Sequence, residues 1–233
     1  MKTKRRSALI AGIALLLMAA TAIFSYGFVH NSLVIYENAG ATFDNITSNK
    51  ILFLSEILGW IFILFLDVVV AWSLYLFFKN DNNILSLITA CLRMVFVFIF
   101  GVAIFNLINI PKLLNENSHE AQMMGKEIMN YIVSFENTWS FALIIFGFHL
   151  LLLGMLTLKS KSIHNLWGML LIFAAASYIF IHSAKFLLPE FQSQIATAEM
   201  VLSLPMAIGE IGFAFWLIMR GGKIRVVYSQ KKI

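Results

Sequence analysis

The apolar positions of this chain gather into six long runs, and the polar positions into the short segments between them. The second run, Ile51 to Phe78, sets the scale. It is too long and too apolar for the core helix of a water-soluble domain. A helix rising ~1.5 Å per residue crosses a hydrocarbon layer of ~30 Å in ~20 residues. The run nevertheless carries two carboxylates, Glu56 and Asp67, eleven residues apart. That spacing is close to three turns, so both point the same way. A carboxylate inside a lipid-spanning helix faces protein or trapped water, so this helix defines the interior of a bundle.

The same reading along the chain predicts an all-α fold, a polytopic bundle with spans at about 8–29, 51–78, 84–110, 138–158, 166–188 and 200–219. Ala20-Thr21-Ala22 imitates a signal-peptide cleavage site. The apolar run continues past it through Ile23, Phe24, Tyr26, Phe28 and Val29, which favours a retained first helix. Residues 30–50 are polar and read as a loop, and Lys79-Asn80-Asp81-Asn82-Asn83 as a tight turn. The third helix should end before Pro111 and the fifth before Pro189, with Pro205 in the first turns of the sixth. In the connection 112–137, Met124, Ile128, Ile132 and Phe135 recur at helical spacing, with Glu120, Lys126, Glu127 and Asn130 between them. This amphipathic pattern predicts a short helix at the membrane interface, either a lid or a lead-in to the fourth span.

Composition fits a single integral membrane domain over residues 1–233. The chain is 60% hydrophobic and 12% charged, outside the range of soluble domains. Its net charge of +5 does not indicate nucleic acid, because the basic residues sit at the ends of apolar runs. Lys2, Lys4, Arg5, Arg6, Lys79, Lys159, Lys161, Arg220, Lys223, Arg225, Lys231 and Lys232 fall on one side of six spans. Lys50, Lys112 and Lys126 fall on the other. Twelve against three places both termini on the cytoplasmic side of the cell membrane, with lipids as neighbours and the oligomeric state open. A lone cysteine, Cys91, excludes an intramolecular disulfide.

Counting depth along each span puts Arg93, His149 and Glu210 ~13–17 Å from the surface, with Asp67 slightly nearer the cytoplasm. These four residues predict a mid-membrane polar cluster in which Arg93 pairs with Asp67 or Glu210, and His149 is the member whose ordinary range lies near neutral pH. Glu56, His182 and Lys185 form an outer polar layer, with Tyr178, His182 and Lys185 on one stripe and Asn106 and Asn109 nearby. Gly209 and Gly212 flank Glu210 and suit close helix contact. Three functions fit such a layer: binding, sensing or transport of a small or lipophilic molecule, structural glue, or an intramembrane hydrolase. The last has no zinc-protease pair, no nucleophile elbow and no two metal ligands at ligand spacing on one helix. No cofactor or catalytic residue is assigned.

Several segments carry a resemblance: Gly27 to Leu33, Leu66-Asp67-Val68 with Leu74-Tyr75, Leu92-Arg93, Phe146 to His149 with Leu153-Gly154, Lys185 to Pro189, and Gly209-Glu210 with Trp216-Leu217. Together the chain resembles a bacterial six-helix membrane family catalogued as domain of unknown function 4386. The resemblance implies a six-helix integral membrane protein with an uncleaved first helix; it supplies no activity, because the family itself is uncharacterised. His182 stands where that family tends to carry an aspartate, and Phe96 where a polar residue is usual.

Overall fold

In a computed structural model, which describes residues 2–114 and 121–223, every regular element is helical. Chain order gives α1 (Lys2–Ala22), a π-helical stretch (Ile23–His30), α2 (Asn31–Leu33), α3 (Ala39–Ser48) and α4 (Lys50–Phe78). After these come α5 (Asn83–Leu113), α6 (Ala121–Lys159), α7 (Asn165–Leu187), a 3-10 turn (Pro189–Phe191) and α8 (Gln192–Met219). Six helices are long and apolar enough to cross a membrane: the first through Leu33, then α4, α5, α6, α7 and the last from Pro189.

The six pack as a closed ring. Each lies against its neighbours in sequence, and α8 returns to pack on α1. An even number of helices lets the last meet the first antiparallel, so the ring closes without a long crossover. Small residues draw the seams together. A Cβ on Gly154 would lie 3.0 Å from the Gly168 carbonyl oxygen, and one on Gly168 equally close to that of Gly154. A Cβ on Gly12 would lie 2.7 Å from the Ala214 carbonyl oxygen, so the closing seam also depends on a missing side chain.

One end of the ring is tied by polar contacts. The Arg5 guanidinium donates to the Leu217, Ile218 and Gly221 carbonyls, covering the C-terminal end of α8. Lys4 pairs with Asp81 at 3.0 Å, and Ser160 donates to the same carboxylate. The start of α1, the turn after α4, the turn after α6 and the end of α8 therefore share this end. Asn82 and Asn38 cap α5 and α3 through their side-chain oxygens.

Several boundaries differ from the sequence expectation. The 30–50 loop is largely helical, because Thr42 and Ile46 of α3 are buried while its other faces stay polar. The expected short interfacial helix is the beginning of α6 itself, a single 39-residue helix. Ile128, Ile132 and Phe135 are buried in the protein, and α3 packs against this part of α6. Glu120 of that segment, and Arg225, Lys231 and Lys232 of the tail, lie outside the described residues. α5 runs through Pro111 to Leu113, and Pro111 there offers no N–H to the Leu107 carbonyl one turn back. α8 starts at Gln192, so Pro205 sits in its interior.

Candidate functional site

A ring encloses a lumen, and Asp67, Arg93, Tyr178 and Glu210 line the space inside it. Arg93 of α5 is 1% exposed and its Nε donates to Asp67 Oδ1 of α4 at 2.9 Å. Nη2 stands 2.6 Å from the same oxygen, off the line of a hydrogen bond, and so adds a charge contact only. Both nitrogens thus address one oxygen, and Asp67 Oδ2 has no hydrogen-bond partner among the described residues. On its other side Arg93 Nη1 donates to His149 Nε2 of α6 at 3.1 Å, while His149 Nδ1 donates to the Thr89 carbonyl at 2.8 Å. That imidazole is neutral, with its proton on Nδ1. Its second nitrogen accepts from a guanidinium and has no room for another proton. His149 is thus a fixed brace behind Arg93, not the titrating member that its residue type predicts. The Phe146 ring lies under the guanidinium, 5.4 Å from centroid to Cζ.

Glu210 of α8 does not join this pair. It forms no ion pair among the described residues and instead faces a cavity of about 320 Å³. Asp67, Arg93 and Tyr178 line the same cavity, within walls that include Trp60, Phe96, Phe100, Trp139 and Phe146. His149 is not on that wall. Part of the lining reaches the outer surface between α1 and α8, where Ile23 is 68% exposed and Ala207 is exposed.

The outer polar residues separate into three groups. Glu56 is fully buried and accepts from His30 Nδ1 at 2.7 Å and from Trp60 Nε1 at 3.3 Å. His30 Nε2 looks the other way, to the Tyr36 hydroxyl at 3.3 Å and a Glu136 oxygen at 3.5 Å. Tyr36 spends its own proton on Glu136, so both His30 nitrogens face acceptors and the ring suits the imidazolium form. Tyr36 lies outside the spans, and burial first, then the hydrogen bond to the Glu136 carboxylate, push its phenol above the ordinary 10.0. Ser140 Oγ lies 2.8 Å from His182 Nδ1, and Lys185 pairs with Glu199 at 2.8 Å.

Glu136, Ser140, His182, Lys185 and Glu199 share a second cavity of about 270 Å³ with Tyr26 and Asn137. Trp139 and Leu143 belong to both cavities, so the polar outer space and the aromatic inner one are neighbours across a shared wall. Trp139 meets Tyr26 edge-on at 5.2 Å and Trp60 at a tilt at 5.1 Å. Asn106 and Asn109 turn back onto their own helix carbonyls and contribute nothing to either space. No group of three or more His, Cys, Asp or Glu side chains suited to a metal ion occurs among the described residues.

His30, Tyr36, Glu136 and Glu199 were not singled out by sequence reasoning. The first two fall in what reads as a loop, and the carboxylates sit just outside the apolar runs, where charges are ordinary. The signal in the sequence was the Gly27 to Leu33 segment, which contains His30; the π-helical stretch that aims Tyr26 and His30 inward, a feature of functional sites, shows only in the structure.

The chain has relatives among known proteins. An uncharacterized protein of Archaeoglobus fulgidus is 27% identical over 174 residues, covering 75% of this chain and 88% of its own length. No solved structure matches. A family described as Domain of unknown function (DUF4386) matches residues 10–221, nearly the whole ring, and the chain belongs to that family.

Proposed function

We propose that this protein binds a small lipophilic molecule in the inner cavity, for sensing or transport across or within the membrane. One observation carries the proposal: a space of about 320 Å³, walled by aromatic and aliphatic side chains, with a few convergent polar groups. Volumes of about 300–1,000 Å³ with that lining are the usual form of a ligand pocket. The exposed rim between α1 and α8 gives a route from the lipid, which suits a ligand that partitions into the bilayer. The mid-membrane groups Asp67, Arg93 and Glu210 are then ligand-facing and His149 supports Arg93, while Glu56, His182 and Lys185 belong to the outer layer.

A structural role is the competing proposal, favoured by the chain from Thr89 through His149 and Arg93 to Asp67, which ties α4, α5 and α6 together. In either case we place both termini in the cytoplasm and the protein in the cytoplasmic membrane, on the asymmetry of basic residues. Native mass spectrometry of gently purified protein separates the two roles. A reproducible small ligand, lost when Ala207→Trp fills the inner cavity, supports binding. Identical spectra for the native and filled proteins refute it.

A further inference from the structure

The inner cavity carries an uneven charge. Its wall holds two carboxylates, Asp67 and Glu210, and one cation, Arg93, with no lysine or second arginine. Arg93 is committed to Asp67 through Nε and to His149 through Nη1. Glu210 has Tyr178 as its polar neighbour on the wall and no ion pair among the described residues. The second Asp67 oxygen, Oδ2, is fully buried and has no hydrogen-bond partner among the described residues. A carboxylate in surroundings of low polarity is costly unless an opposite charge or a hydrogen-bond donor meets it.

We propose that the ligand of this cavity is a lipophilic amine in its protonated form, with Glu210 as counter-ion and Asp67 Oδ2 as a hydrogen-bond acceptor. This rests on the reading of the cavity as a ligand site and names its ligand class. Charge decides against an anion, because Arg93 is already neutralised and Glu210 repels. Lining decides against a bare metal ion, because beyond Asp67, Glu210 and Tyr178 the wall offers hydrocarbon and aromatic faces where several oxygens are needed. An ammonium on an apolar body uses both parts: the faces of Trp60, Trp139 and Phe100 attract the cation and cover the body.

The test uses three probes of similar size on the full chain in detergent: 2-phenylethylammonium, 2-phenylethanol and 3-phenylpropanoate. Titration calorimetry on the native protein should give a dissociation constant for the amine at least ~10-fold below that of the alcohol, a difference of ~1.4 kcal/mol. The anion should bind least. Glu210→Gln should remove the amine's advantage while leaving the alcohol unchanged, and its melting temperature reports whether it folds. Equal affinity of amine and alcohol, or preference for the anion, on the native protein overturns the amine assignment and leaves the cavity a ligand site. If no probe binds the native protein better than the Ala207→Trp filled protein, the cavity reading falls as well. The native comparison decides between these even if Glu210→Gln does not fold.

Discussion

Replacing Arg93 by Met removes a cation that is 1% exposed and leaves the Asp67 carboxylate buried without it. Breaking one side of such a pair costs ~3–5 kcal/mol, most of it the uncompensated charge. His149 Nε2 loses a charged donor too, ~1.5–3 kcal/mol when taken alone. The two losses overlap, so a net cost of ~4–6 kcal/mol is expected for the single change. Asp67→Asn keeps the shape and one acceptor oxygen but leaves Arg93 unneutralised, ~3–5 kcal/mol by the same reasoning. In the double variant neither charge remains and mainly the His149 loss survives, ~1.5–3 kcal/mol. At ~2–4 °C per kcal/mol for a chain of this length, the Arg93 change should lower the melting temperature by ~8–24 °C, the Asp67 change by ~6–20 °C and the double by ~3–12 °C. Partners found by the unfolded chain within the bilayer reduce all three values but keep their order. The assay is thermal unfolding in detergent followed by tryptophan fluorescence. A double variant that melts lower than either single, with additive losses, refutes the coupled pair.

Three further outcomes follow from other parts of the ring. Gly154→Val should lower stability by ~1–3 kcal/mol, because the new side chain meets the Gly168 carbonyl and forces α6 from α7; thermal unfolding reads it. Tyr36 has a phenol raised above 10.0, so its stabilising contribution is whole below that pH and is lost as pH climbs past it. The native protein should therefore lose more stability than Tyr36→Phe between about pH 9 and 11, and parallel curves would contradict this. Cysteines placed at Asn45 and Lys161, on a Cys91→Ser background, should label from opposite faces of the membrane; labelling from one face rules out the six-span path.

The architecture was legible because spans are written in length and hydropathy, which one sequence displays directly. Depth was legible for the same reason: counting residues put Asp67, Arg93 and His149 at one level, and the structure joins them through Arg93. Azimuth was less so. Which side of α8 Glu210 faces depends on where that helix begins and how the ring closes, and the start at Gln192 was hidden by Pro205. The outer layer resisted for a different reason. Glu56 finds its partner in His30, whose burial comes from a π-helical end that no apolar periodicity announces. Glu136 and Glu199 lie just outside the apolar runs, in stretches that composition assigns to the surface, and only packing turns them toward Tyr36 and Lys185.

The closing seam between α1 and α8 also bears on synthesis. It joins the two ends of the chain, and it is the least extensive of the six seams of the ring. Asp67 and Arg93 lie on consecutive spans and His149 on the next, so the two buried charges are matched and braced while α7 and α8 are still to be made. Glu210 arrives on the final span and enters a wall already assembled. Until then the nascent protein is an open arc with its lumen facing lipid, and the last contacts are those with the greatest loop-closure cost. The same seam borders the exposed rim of the inner cavity, so the joint completed last in biogenesis is also the one whose parting would admit a molecule from the bilayer.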